Sequence, residues 1–332
     1  MKLLLSKQSQ NTIKGTVQVT GSKSETNRLL LLKALYPNVN LGNVSISDDG
    51  RVMEAGLLKT SGEVDIHHAG TAMRFLTAFL ASQEGREVVL TGSARMKQRP
   101  IGVLVEALKS LGAEIEFLET EGCPPLRIKG KRLSESQVSL PADVSSQYIS
   151  ALLLIAPSLP NGLTLELVGK ITSVPYIKMT LSLLNQLGVA TTFKANIITV
   201  AHKSEVSDMA IEVESDWSSA SYFYSILALS TPGSKVTMRS YRQNSLQGDS
   251  VCEQIYKAFG VETTFDNRMM TLRKKEVEIP ERFECDLANA PDIAQTIAVT
   301  CFGLGIGCHL TGLHTLPIKE TDRLAAMRTE LS

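Results

Sequence analysis

Neither sign of charge is in excess. Lys plus Arg number 34 and Asp plus Glu 34 among 332 residues, so the formal net charge is zero. A neutral balance gives no sign of a nucleic-acid partner or an acidic membrane surface. Cysteine is scarce. Cys123, Cys252, Cys285, Cys301 and Cys308 are odd in number, scattered, and without a C-x-x-C pair. That argues against a disulfide framework or a structural zinc site and fits a reducing compartment. Cys301 and Cys308 stand in an apolar run and read as buried small residues. His67 and His68 are adjacent, a spacing that rarely puts both on one metal, and no third ligand stands near, so no metal is expected. No uncharged apolar stretch reaches the roughly 18 residues of a membrane span. Residues 1–5 are too short for a signal-peptide core. P-loop, G-x-G-x-x-G and nucleophile-elbow motifs are all missing. A soluble cytoplasmic protein is expected, with no nucleic-acid or membrane partner.

What the chain does contain is a repeat. A short polar motif recurs, each time followed by an apolar, Ala-rich run. The copies are Gly21-Ser-Lys-Ser-Glu-Thr-Asn-Arg28 before 29–32, His68-Ala-Gly-Thr-Ala-Met-Arg74 before 75–81, and Asp143-Val-Ser-Ser-Gln147 before 149–156. Asp216-Trp-Ser-Ser219 precedes 220–229, and Asn289-Ala-Pro-Asp292 precedes 293–302. The last four recur roughly every 75 residues. After each of these four a Gly leads into a β-prone run: Gly85, Gly162, Gly233 and Gly307. A second helix is expected over 99–112, 175–188 and 249–260, ending in Leu-Gly or Phe-Gly, with Gly as the residue after the cap. Strand-like runs follow at 113–117 and 189–193. The first helix of each unit is apolar nearly all round and is expected to be buried. The fifth copy reaches its second helix at 319–323 without its closing strands, so the expectation is a design whose C-terminal part is missing.

Each polar motif stands at a helix N-terminus, where free N–H groups and a partial positive charge favour anions. Ordinary capping would account for Asp143, Ser218 and Thr26. It does not account for Lys23, Arg28, Arg74 and Lys319, since a cation beside a helix N-terminus opposes the dipole unless an anion lies between. Arg95-Met-Lys-Gln-Arg99 reads equally as a solvated loop or as a phosphate or carboxylate clamp. The 319–323 charges could serve only as helix pairs, and Asp292 only as a cap.

Taken in order, Gly21-Ser-Lys-Ser-x-x-x-Arg28, Ala69-Gly-Thr-Ala-Met-Arg74, Arg95-Met-Lys-x-Arg-Pro100 and Ser145-Ser-Gln147 resemble the motifs of one family. Ser173-x-x-Tyr176, Asp216-x-Ser-Ser-Ala220, Pro291-Asp292 and Lys319-Glu-Thr-Asp-Arg323 complete the set. The family is the 5-enolpyruvylshikimate-3-phosphate synthases. The resemblance implies an α/β, two-domain enolpyruvyl transferase fold, an inside-out α/β barrel of repeated βαβαββ units with helices inside. Residues 1–17 and 214–332 would form one discontinuous, incomplete domain, and 18–213 a second of three units. The implied substrates are shikimate 3-phosphate and phosphoenolpyruvate, with no cofactor, and a monomer is expected. The resemblance gives Lys23 a place between the substrates. Ser24 and Arg28 would hold the shikimate carboxylate. Ser145, Ser146, Ser173 and Lys319 would hold its phosphate, with Gln147 and Tyr176 against the ring. Gly70, Arg99 and Arg323 would face phosphoenolpyruvate, with Lys23 and Gln147 also in reach. Asp292 would be the general base, and Glu320, with Lys23, would handle the proton at the methylene carbon. Closure of the two domains would exclude water.

The chain departs from the family pattern at His68, where an Asn is usual, at Phe75 in place of a Pro, and at Thr315 and Pro317, where Asn and Arg are common. An Arg and a Lys of the phosphoenolpyruvate site are expected beyond Ser332. The sister transferase that acts on UDP-N-acetylglucosamine is the nearest alternative, but it carries a Cys in its mobile loop and 95–99 has none. A non-catalytic anion-binding protein is the other, and would have no use for Asp292 and Glu320.

Overall fold

A run such as 75–81, apolar on every side, is stable only when surrounded. The computed structural model describes residues 12–332 except Val144, Lys170, Thr172, Ser173 and Glu320, and it surrounds that run completely. The chain begins β1 (Lys14–Val17), α1 (Lys23–Leu35), β2 (Val39–Gly42), α2 (Asp48–Leu58). Then come β3 (Ser61–Asp65), α3 (Gly70–Ala81), β4 (Glu87–Thr91), α4 (Gly102–Ser110), β5 (Glu114–Phe117) and β6 (Leu126–Lys129). The same order returns as β7 (Gln137–Pro141), α5 (Ser146–Ile155), β8 (Leu163–Val168), α6 (Val174–Gln186), β9 (Thr191–Lys194) and β10 (Ile197–Val200). After β11 (Met209–Glu212) follow α7 (Trp217–Ala228), β12 (Lys235–Arg239), α8 (Cys252–Ile255), β13 (Val261–Asp266) and β14 (Met269–Lys274). The last elements are β15 (Arg282–Asp286), α9 (Ala294–Leu304), β16 (Gly307–Thr311) and α10 (Arg323–Leu331).

Three four-stranded sheets share one strand order: β3-β4-β6-β5, β7-β8-β10-β9 and β1-β12-β14-β13. In each the first pair is parallel and the rest antiparallel. A parallel pair needs a long crossover. Helices α3 and α5 supply it in the first two sheets. For β1 and β12 the crossover is the whole stretch from Thr20 to Val213 followed by α7. Contacts accordingly divide the chain into two units, one of Thr20–Val213 and one joining the segment up to Val19 with Glu214–Ser332.

In the Thr20–Val213 unit the central helices are buried on all sides. Residues 25–32 of α1, Gly70 and 72–81 of α3, and Ser146 and 148–155 of α5 are buried. Two of its repeats are full βαβαββ units. The third differs: it runs β11, α1, β2, α2, and its sheet has only β11 and β2. Only Lys59 and Thr60 join α2 to β3, too few to supply two closing strands.

The other unit departs from expectation in two ways. Its helices α7 and α9 pack on each other and on their sheets, yet one face of each stays open. Tyr222 is 56% and Phe302 65% exposed, and Ile226, Leu229 and Val299 are exposed beside them. No third buried helix covers them among the described residues, and α10 buries none of its residues. The helix expected over 249–260 is broken into α8 between two short 3-10 turns, Gly248–Val251 and Tyr256–Phe259. Val, Cys, Tyr and Phe there are weak helix formers, and Tyr256 and Phe259 pack edge to face at 5.4 Å. Cys301 is buried, but Cys308, on β16 of a two-stranded sheet, is exposed. Among the described residues no helix is long and apolar enough to cross a membrane.

Candidate functional site

Residues that cap a helix must sit just before it with extended backbone, so that the side chain can reach back to a free N–H. Ser22, Ser145 and Asp216 meet that condition, accepting from Glu25 N, Gln147 N and Ser219 N. Thr26 and Ser218, expected as caps, lie inside their helices instead. Thr26 Oγ1 accepts from Ser45 N at 2.9 Å, and Ser218 Oγ donates to Asp249 Oδ2. Asp143 lies in the turn after β7, two residues before the true cap.

In the Thr20–Val213 unit, three helices are tied together. Arg28 on α1 donates from Nε to Thr180 Oγ1 of α6 at 2.8 Å and from Nη2 to Ser150 Oγ of α5 at 3.0 Å. Its Nη1 returns to the Ser24 carbonyl at 2.8 Å. Its guanidinium stands 5.4 Å from the Phe75 ring and 5.9 Å from the Tyr176 ring. Arg28 is 2% exposed and has no ion pair among the described residues. Burial lowers its pKa to about 10, against smaller opposing effects of Tyr176 and Glu25. Gln147 Nε2 donates to Thr71 Oγ1 at 3.1 Å, joining the first turns of α5 and α3. Lys23, half-exposed at the start of α1, lies 3.5 Å from Asp49. Ser145 is exposed and Ser146 buried.

The α3 N-terminus has no side-chain cap. Arg99 occupies that place: a Cβ on Gly70 would lie 2.6 Å from Arg99 Nη1. This separates the three cations of 95–99. Lys97 pairs with Glu119 at 2.6 Å and Arg95 is exposed, so only Arg99 stands at a helix end. Arg74, grouped by sequence with the anion-facing cations, points inward. It donates to the Pro100 carbonyl at 2.8 Å and the Gly70 carbonyl at 3.2 Å, bracing the loop that carries Arg99. Burial lowers its pKa. His68, in place of the usual Asn, pairs Nδ1 with Ser93 Oγ at 2.8 Å.

In the other unit Asp292 does not cap its helix. Its Oδ1 accepts from Arg323 Nη1 at 2.9 Å, and Lys319 Nζ lies 3.3 Å away. Asp322 caps α10 through Leu324 N and Ala325 N, which fixes the helix that begins with Arg323. Asp249, which no motif marked, is buried close by. Burial first, then Asp292 and Asp216, raise its pKa to about 7 against the lowering effects of Ser218 and Lys319. Ser173 and Glu320 lie outside the described residues. The described residues hold no group of three His, Cys, Asp or Glu fit for a metal.

Sequence reasoning missed Ser150, Thr180 and Asp249. Ser150 had a weak signal, a hydroxyl directly before the apolar run 151–155, where a buried polar group calls for a partner. Thr180, in a helix that also carries Tyr176, Lys178 and Ser182, had none.

These features define a class: an α/β protein of two repeat-built units, each gathering cations at the starts of helices, as suits multiply charged anions. A family model, EPSP synthase (3-phosphoshikimate 1-carboxyvinyltransferase), matches residues 40–332. The chain is 44% identical over 332 residues to the 3-phosphoshikimate 1-carboxyvinyltransferase of Bacteroides fragilis (strain YCH46), covering all of this chain and 80% of that protein. It is 37% identical over 348 residues to the enzyme of that name from Vibrio cholerae serotype O1 (strain M66-2), covering 96% of this chain and 80% of the relative. An EPSP synthase structure from Acinetobacter baumannii superposes with a TM-score of 0.75 at 21% identity, over 96% of this chain and 78% of that one. The chain belongs to the EPSP synthase family.

Proposed function

We infer that this protein transfers the enolpyruvyl group of phosphoenolpyruvate to the 5-hydroxyl of shikimate 3-phosphate, releasing phosphate, on the route to chorismate and the aromatic amino acids. The observation that carries the reading, beyond family membership, is Asp292 held by Lys319 and Arg323. A module that only bound anions would gain nothing from a carboxylate among its cations; an enzyme that must remove a hydroxyl proton needs one.

The roles proposed for the residues are those that the family resemblance implies. Asp292 takes the proton of the 5-hydroxyl as its oxygen bonds C2 of phosphoenolpyruvate. Glu320, with Lys23, delivers a proton to C3, giving a tetrahedral intermediate. The C2–O bond to phosphate then breaks, phosphate leaves, and C3 returns its proton. Arg99, Gly70 and Arg323 face phosphoenolpyruvate, with Lys23 and Gln147. Ser24 and Arg28 take the shikimate carboxylate; Ser145, Ser146, Ser173 and Lys319 its phosphate; Gln147 and Tyr176 the ring. Arg28 supports its assignment, because a buried guanidinium without an ion pair gains most from an anionic ligand. The reading carries with it a monomer in the cytoplasm.

Phosphate release from phosphoenolpyruvate tests it. Release is expected with shikimate 3-phosphate as acceptor, and Asp292→Ala is expected to lower it by about 10²–10⁴-fold. Release with UDP-N-acetylglucosamine alone would overturn the assignment.

A further inference from the structure

Asp249 is a buried carboxyl with one oxygen engaged and one idle. It is 6% exposed. Its Oδ2 accepts from Ser218 Oγ in the first turn of α7, and its Oδ1 has no hydrogen-bond partner among the described residues. Its place is fixed from both sides. A Cβ on Gly248 would lie 2.5 Å from the Asn289 carbonyl oxygen, so this turn packs directly on the segment leading to Asp292. Gln247, also buried, accepts from Trp217 N at 3.0 Å and donates to the Ser215 carbonyl at 2.9 Å, pinning the same turn to the start of α7.

The charged and titratable groups facing Asp249 come from four elements. They are Asp216 at the cap of α7, Asp292 before α9, Lys319 before α10, and the Cys252 thiol on α8. Arg323 joins them through Asp292. Two carboxylates, one ammonium and one guanidinium already share the neighbourhood, so its charges balance without Asp249. A third negative charge, buried and with an unsatisfied oxygen, is strongly disfavoured there. The neutral acid fits, and the raised proton affinity of Asp249 agrees.

We propose that Asp249 is a positioning residue for the Asp292–Lys319 pair, and that the phosphorylated substrate binds Lys319 only while Asp249 keeps its proton. Neutral, Asp249 holds Ser218 and the α7 start against the Asp292 turn. Ionised, it competes with the substrate phosphate for Lys319 and repels it. This rests on the reading that Lys319 takes the phosphate of shikimate 3-phosphate.

Calorimetric titration of the whole chain with shikimate 3-phosphate, in buffers of different ionisation enthalpy, tests it. The wild type is expected to bind roughly tenfold more weakly at about pH 8.5 than at about pH 6.5, taking up close to one proton per substrate at the higher pH. The substrate's own phosphate, with its second pKa near about 6, is already dianionic there and supplies no such uptake. Asp249→Asn, which keeps the shape and can still pair with Ser218, is expected to lose both the uptake and the weakening. Tight binding by the wild type at the higher pH without proton uptake overturns the proposal, as does uptake that persists in Asp249→Asn. A purely structural role would not move the proton count. If the variant does not fold, the wild-type count decides alone. Failure of the wild type to bind at either pH sinks the substrate assignment of Lys319, and the proposal with it, and is told apart by showing no heat at all.

Discussion

Gly70 has no side chain because Arg99 fills the space where one would stand. Ala is the better helix former, so Gly70→Ala should leave the melting temperature nearly unchanged while it displaces the guanidinium. The expected result in steady-state kinetics is a KM for phosphoenolpyruvate raised by about tenfold or more, with the KM for shikimate 3-phosphate little changed. A large loss of stability instead would place Arg99 in a structural role. Asp249 gives a second prediction at this scale. Its folded pKa of about 7 stands above the ordinary 3.8. Between those values the folded state binds the extra proton, so this group's contribution is full below about pH 4 and is lost as pH rises through about 7. Urea midpoints measured across that window should fall with pH more steeply in wild type than in Asp249→Asn. Arg28 and Asp292 drew notice in the sequence because they carry charge inside a repeated motif, and Arg99 only through the resemblance to the family. Ser150 and Thr180 did not, because they are recognised only by an Arg28 that lies 122 and 152 residues away.

Elements built from the same kind of sequence meet different fates. The apolar runs in α3 and α9 look alike, yet α3 is enclosed by α1, α2 and α5, and α9 keeps an open face. Leu76 on α3 is fully buried, and its Cδ1 would sit 2.5 Å from a Cβ on Gly56 of α2. Leu76→Ala should therefore cost about 2–5 kcal/mol in denaturant unfolding. Phe302→Ser on the open face of α9 should stay within about 0.5 kcal/mol. Equal losses at the two sites would mean that α9 is covered in solution. The helix starts were placed at the right motifs, but the caps were misassigned by two to four residues: they are Ser22, Ser145 and Asp216 rather than Thr26, Asp143 and Ser218. Capping depends on backbone angles at the helix entry, which composition does not reveal.

At the scale of the whole molecule, binding is linked to stability. Shikimate 3-phosphate at about 100 times its Kd should add roughly 2.7 kcal/mol. A thermal-shift assay should show that rise with shikimate 3-phosphate and none with UDP-N-acetylglucosamine; the reverse would favour the sister chemistry. The sequence by itself determined the repeat, the buried character of α1, α3 and α5, and the motif set of the family, because a 3.6-residue apolar pattern and a charged helix start are local properties. Only the tertiary structure decided that Arg74 points inward, that Arg99 packs directly on Gly70, and that one Asp249 oxygen has no hydrogen-bond partner among the described residues. Those outcomes depend on which distant segments share a small volume, and there burial and neighbouring charge, not residue type, set what each group can do.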